Sequence, residues 1–287
     1  MNKHDICLLN ETWRAEDSKI SLPGFWDFSV IKPKRTKRGR PSGGLTIFCK
    51  EDLRKGVKID SFGEWYIWLR LDSKFFDLPN TLYIGAFYLT PEYGNKSTYK
   101  VDYFEEITAS IAKYLRKGNI ILGGDFNART GSEDTSYSIE IPGFNGFGVE
   151  EGSSFDCRLS CDEKVNNYGK KLNSLCNSQN LVIANGRVIG DRIGNFTCQN
   201  SHGSSVVDYF IADRDFYNRL KILVIHEPVF GSIHSPLSLS IVCSVKIAKI
   251  KSPPLPKPPR FICDPSKRDQ FIDVLKEKQV GLNALHN

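Results

Sequence analysis

The residues best equipped for chemistry lie in Ile120-Ile121-Leu122-Gly123-Gly124-Asp125-Phe126-Asn127. An apolar strand ends in two glycines and then presents a carboxylate and a carboxamide two residues apart. Strand alternation puts Asp125 and Asn127 on one side. Glycine lets the backbone turn and lets a substrate come close. The carboxylate can orient and deprotonate water, and the carboxamide can donate to developing negative charge. That pairing suits hydrolysis of a phosphate ester. An Asp/Asn turn with side-chain capping is the competing structural reading.

Four further residues stand at strand ends or inside strands. Glu11 follows Leu8-Leu9-Asn10 and is a hard oxygen donor suited to Mg²⁺, although any exposed Glu after a strand has the same look. Tyr88 ends the run Leu82–Tyr88, ahead of Leu-Thr-Pro-Glu, where its hydroxyl could polarise a phosphate; without the other motifs a core or rim tyrosine is the favoured reading. Asp208 sits in Ser204-Ser205-Val206-Val207-Asp208-Tyr209-Phe210-Ile211, among apolar neighbours, and such a carboxylate needs a partner. His234, in Gly231-Ser232-Ile233-His234-Ser235-Pro236-Leu237, is a natural one. An Asp–His pair fixes the imidazole tautomer and turns the other nitrogen toward substrate. A core histidine beside an unrelated aspartate is the plainer alternative.

The elements that must position these groups are mostly strands. Short β-rich runs bounded by Gly, Pro, Asn or Asp predict strands at 6–9, 44–48, 65–69, 82–88, 120–122, 181–184, 195–197, 206–211 and 237–241. Apolar residues at helical spacing predict helices over about 100–116 and 167–179. Between those helices lies a Gly-, Ser- and acid-rich stretch, 131–163, long enough to be functional or mobile. Many strands and few helices predict two packed sheets flanked by helices. The compact domain is expected to span 1–245. A basic, Pro-rich linker of polyproline type follows over 246–265, and a helical or disordered tail over 266–287, with a helix expected over 266–278.

The 287 residues allow one large domain or two small ones, and 40% hydrophobic with 25% charged residues is ordinary for a globular chain. No apolar run approaches the roughly 20 residues that cross a bilayer. The N-terminus, interrupted by Asp5, is a poor signal peptide. Membrane insertion and secretion are therefore not expected, and the eight cysteines read as reduced thiols without a zinc set. Residues 32–40 carry six basic side chains and 246–260 carry five, with no acid in either. Removing those eleven charges from the net +6 leaves −5 for the remainder. Basic runs on an acidic body suit a polyanion such as nucleic acid, although a solvated loop and a tail have the same composition.

The ordered motifs Leu-Leu-Asn-Glu11-Thr-Trp, Tyr88 before Pro91, Gly-Gly-Asp125-Phe-Asn127, Ser-Ser-Val-Val-Asp208-Tyr and His234-Ser-Pro-Leu resemble the endonuclease/exonuclease/phosphatase superfamily. Ser42–Phe48, Asn167–Leu172 and Gly194–Cys198 make the chain most similar to the endonuclease domains of LINE-type retrotransposons. The likeness spans roughly residues 5–243. It implies a DNase I-like α/β fold, a four-layer α/β/β/α sandwich with its site at one edge of the sheets. It implies that Glu11 binds Mg²⁺ or Mn²⁺, that Asp125 activates water, that Asn127 and Tyr88 stabilise the phosphate, and that Asp208 orients His234. Thr197 stands where the family often contacts the nucleic-acid backbone. Lys34, Arg35, Lys37 and Arg38 of the basic run would hold DNA.

Two departures accompany the likeness. The family has an earlier first strand ending in an Asn near the metal, and this chain starts after that point, so a sheet edge is expected to lie unpaired. Where the family has Ser-Asp-His, this chain has Ser232-Ile233-His234, and Ile cannot coordinate a metal. The expectation is a monomeric, intracellular metal-dependent endonuclease of retrotransposon origin, acting on DNA, with a basic run that resembles a nuclear address and an ancestral protein in which a reverse transcriptase followed. An inactive nucleic-acid-binding remnant and a phosphoinositide-type phosphatase are the alternatives.

Overall fold

The structure, a computed structural model, describes residues 4–14, 20–31, 43–92, 102–132, 158–201, 203–229, 231–245 and 267–283. The chain divides into two compact units, 1–247 and 248–287. The second contains helix α5 (Arg268–Asn283), which covers most of the helix expected over 266–278 and continues five residues beyond it. The Pro-rich linker, the basic run 32–40, and Cys157 and Cys263 lie outside the described residues. The six described cysteines are free thiols. No described helix is long and apolar enough to cross a membrane.

The first unit is built on a six-stranded mixed sheet. Its strands are β4 (Val57–Gly63), β5 (Tyr66–Leu71), β6 (Leu82–Tyr88), β7 (Asn119–Asp125), β8 (Leu181–Ile183) and β11 (Asp208–Asp213). Their order is β4-β5-β6-β7-β11-β8. Only β6 and β7 pair in parallel, and helix α2 (Tyr103–Leu115) lies between them in sequence as the crossover that parallel neighbours require. Against this sheet lie a three-stranded sheet, β1 (Ile6–Asn10), β3 (Leu45–Lys50) and β2 (Phe25–Val30) in that order, and the hairpin β12 (Leu220–Ile225) with β13 (Leu237–Ile241). A small hairpin, β9 (Cys198–Asn200) with β10 (Gly203–Ser205), stands apart.

Strand alternation sorts the core into two clusters. Ile120 and Leu122 of β7 join Trp68, Phe87 and Tyr209 against α2 and helix α3 (Asn167–Ser178). Ile121, between them, faces the other way with Leu45, Ile47, Ile67, Leu69 and Tyr88, filling the space between the sheets. Leu239 and Ile241 of β13 and Ile6 and Leu8 of β1 pack on that same cluster. This is the mixed α/β sandwich expected, with unequal layers. On the inter-sheet side the described helical residues include only short turns, among them α1 (Ser73–Phe76) and α4 (Arg214–Tyr217). Among the described residues β1 pairs with β3 alone and β13 with β12 alone, so each keeps one edge without a ladder partner.

Two expected strands move. Asn195–Thr197 is irregular and leads into β9, and Val206-Val207 precede β11 rather than open it. Their amides are engaged elsewhere: Val206 N–H donates to Asp162 Oδ2 (3.0 Å) and Val207 N–H to Thr197 Oγ1 (3.0 Å). Of the stretch 131–163, Arg158 and Asp162 are buried parts of the body.

Candidate active site

The site begins where β7 stops. Gly124 has φ +137°, and a Cβ there would lie 2.0 Å from the Phe87 carbonyl oxygen of β6, so only glycine lets the two strand ends approach. Phe126 then turns fully into the core against Phe87, with ring centroids 5.6 Å apart, and its N–H donates to the Val207 carbonyl (3.0 Å). With Phe126 as the plug, Asp125 and Asn127 flank it at the sheet's end. Asn127 adopts φ +48° rather than strand geometry. Its N–H donates to Asp125 Oδ1 (2.8 Å), and its Nδ2 donates to Asp125 Oδ2 (3.1 Å) and to the Leu89 carbonyl (2.7 Å). The capped turn and the paired carboxylate and carboxamide are therefore one structure.

Each neighbour arrives through pairing register. Tyr88 lies beside Asp125 in the parallel β6–β7 ladder, and Asp208 lies opposite Asp125 in the antiparallel β7–β11 ladder. His234 bridges to Cys198 of β9, and its Nδ1 is 2.9 Å from Asp208 Oδ2. Glu11, exposed just past β1 at φ +50°, accepts a short hydrogen bond from the Tyr88 hydroxyl. The structure thus brings Glu11, Tyr88, Asp125, Asn127, Asp208 and His234 together at one end of the sheets.

Electrostatics follow from burial and from these contacts. Burial, then the facing Asp208 carboxylate, push the Asp125 carboxyl up to about 8. The hydrogen bond to Asp208, then contact with Cys198, raise His234 to about 11. Burial and the Glu11 carboxylate hold the Tyr88 hydroxyl well above the usual phenol range. A carboxyl that resists ionisation beside a like charge is the environment expected of an acid–base group or a cation site.

Two groups of side chains here could hold a divalent cation, the first only with His234 deprotonated. One ligand atom each from Asp125, Asp208 and His234 lie within 4.8 Å of one another. Asn10, next to Glu11, donates through Nδ2 to the Phe87 carbonyl (3.3 Å), while its Oδ1 is buried with no partner. A buried oxygen left without a donor beside a carboxylate suits a cation.

Sequence reasoning missed Asn10, although it is part of the Leu-Leu-Asn-Glu11 segment. It also missed Asn185, fully buried, which donates to the Asp208 carbonyl (3.2 Å) and accepts from Phe210 N–H (3.0 Å). Its signal was a polar residue directly after an apolar strand. Thr197 is fully buried, and its hydroxyl accepts N–H from Val207 (3.0 Å) and Asp208 (3.1 Å). Lys34, Arg35, Lys37 and Arg38 lie outside the described residues. A cavity of about 520 Å³, lined by Asn80, Arg116, Lys117, Asn119 and Arg214 among others, lies at the opposite end of β7 and includes none of the six.

A model of the Endonuclease/Exonuclease/phosphatase family matches residues 1–238. No curated protein matches the sequence. Among solved structures, the chain is similar to the endonuclease domain of TRAS1, a telomere-specific non-LTR retrotransposon. That likeness has 17% identity and a TM-score of 0.52 over 84% of this chain and 87% of the other. It is also similar to the 3'-5' exonuclease NExo from Neisseria meningitidis, at 14% identity and a TM-score of 0.51 over 83% and 89%. A structure of the 3' phosphatase NExo from Neisseria bound to product DNA hairpin gives the same figures. At these identities the structural likenesses establish the fold.

Proposed function

The chain belongs to the endonuclease/exonuclease/phosphatase family, and on that premise we propose that it is a divalent-metal-dependent endonuclease of retrotransposon origin acting on DNA. Phosphodiester hydrolysis is the reaction class common to the family and the site. The observation that carries the reading is the contact chain Glu11–Tyr88–Asp125–Asp208–His234, assembled from five separate segments.

Asp125, ionised, takes a proton from the attacking water, its carboxylate oriented by Asn127. Asn127 and Tyr88 would border the phosphate, and each would give up a donor now engaged with Asp125, Leu89 or Glu11 to reach its oxygens. Asp208 fixes the His234 ring through Nδ1. Glu11 and Asn10 Oδ1 would hold a Mg²⁺ or Mn²⁺ ion, which supplies neutralisation of charge developing on phosphate oxygens. Plasmid nicking with Mg²⁺ tests this. Nicking that disappears in Asp125→Ala and His234→Ala supports the reading; nicking unaffected by both overturns it.

A second reading, an inactive nucleic-acid-binding remnant, draws on Ile233. It is 51% exposed directly before His234 and offers no ligand. No nicking, retained DNA binding and nicking gained in Ile233→Asp would favour it. Release of phosphate from 3'-phosphorylated DNA or from inositol phosphates, without nicking, would favour a phosphatase.

A further inference from the structure

We propose that Thr197 is a positioning residue that holds both members of the Asp208–His234 pair in register, an inference that rests on the hydrolytic reading of this site. Thr197 is irregular in backbone, fully buried, and hydrogen-bonded at three atoms to the two segments concerned. Its Oγ1 accepts from Val207 N–H (3.0 Å) and Asp208 N–H (3.1 Å). Its carbonyl accepts from the N–H of Ser235, the residue after His234 (2.8 Å), and its N–H donates to the Ser205 carbonyl (3.0 Å). One residue therefore grips the backbone of the aspartate on one side and of the histidine's neighbour on the other.

The need for such a grip follows from the strand. The β7–β11 ladder begins at Asp208. Just before it, Val206 and Val207 have left the β9–β10 hairpin and are not yet in the ladder. Three consecutive amides, those of Val206, Val207 and Asp208, are met by side chains: Asp162 Oδ2 takes the first and Thr197 Oγ1 the other two. Asp162 is itself held by Arg129, which donates through Nε (2.8 Å) and Nη2 (2.5 Å). Buried N–H groups must find acceptors. Without the hydroxyl at 197, two of them lose theirs, and the segment carrying Asp208 is free to shift. The 2.9 Å contact of Asp208 with His234 depends on where that segment lies.

Thr197→Val removes the acceptor and nearly preserves shape; Thr197→Ser keeps it. In Mg²⁺-dependent nicking, Thr197→Val is expected to lower kcat by about tenfold or more with KM little changed, and Thr197→Ser to recover most of the rate. The downfield imidazole N–H proton of His234, read by NMR on the metal-free protein, is expected in the wild type and Thr197→Ser and lost or broadened in Thr197→Val. That readout needs no turnover, so it tests the inference even if nicking never appears. A Thr197→Val protein with lowered Tm but normal kcat and an intact His234 signal overturns the proposal. So does a raised KM at constant kcat, the mark of a substrate contact. Should Thr197→Val fail to fold, hydrogen exchange on the wild type still decides. The Val207 and Asp208 amides are expected to be protected, and exchange at the rate of free amides overturns the proposal.

Discussion

Asp125 and Asp208 face each other directly across the antiparallel pair of β7 and β11, and only Asp208 has an imidazole against it. His234 thus stands near both carboxylates but is hydrogen-bonded to Asp208 alone. Asp125, buried and facing a second carboxylate, resists ionisation. That division of labour sets the first expectation.

In chelator, folding should favour the protonated form of Asp125. Its folded value near 8 lies above the unfolded value of about 3.9. Stability from this group is therefore fully present below about pH 4 and lost as pH rises toward 8. Asp125→Asn removes the titration. Urea unfolding should show a flatter pH dependence for the variant and a gain of about 1 kcal/mol or more at pH 8, alongside loss of hydrolysis by about 10²–10⁴-fold. A variant less stable than the wild type at pH 8 would contradict the buried, uncompensated charge.

A cation entering this site should remove part of that penalty. Mg²⁺ or Mn²⁺ is expected to raise Tm by mass action, about 1.4 kcal/mol of stabilisation at ten times Kd. Glu11→Gln should weaken the effect while changing the Tm measured in chelator little, since the amide oxygen can still accept from the Tyr88 hydroxyl. Equal metal-induced shifts in both proteins would remove Glu11 from the metal site.

Acid should act on a different pair. Burial alone would raise the Asp162 carboxyl, but the Arg129 guanidinium and the N–H groups of Val206 and Lys164 outweigh it and hold it below the usual range. A depressed carboxylate contributes stability above its unfolded value near 3.9, which is lost as pH falls through the folded value. Asp162→Asn should be less stable at pH 7 by about 2–4 kcal/mol, because it leaves a partly buried guanidinium unpaired. Its unfolding free energy should also vary less below pH 4 than that of the wild type. A steeper acid dependence in the variant would reverse the sign argued here.

What the sequence made legible follows from where each strand sits. β5, β6 and β7 are buried on both faces and read as continuous apolar runs. β2, β4 and β12, which the sequence reading passed over, are edge strands interrupted by Asp27, by Lys58 and Asp60, and by Lys221. Asp125 and Asn127 could be read because glycines and an apolar strand frame them. Thr197 and Asn185 could not be placed, because their roles lie in hydrogen bonds to backbone reached only after folding.

The basic run 32–40 offers a test read from binding in solution. If Lys34, Arg35, Lys37 and Arg38 each neutralise a DNA phosphate, each releases counterions on binding, and log Kd depends on log salt with a slope of about 0.9 per contact. Replacing all four with Ser should weaken duplex binding at about 50 mM salt. It should also reduce the magnitude of the slope by about 3–4 when affinity is measured by fluorescence anisotropy over a salt series. The nicking rate at saturating DNA should change far less than the affinity, because these residues stand apart in sequence from the six that converge on the site. An unchanged slope would mean that the run does not touch the backbone, and that the electrostatic grip must come from cations elsewhere in the chain.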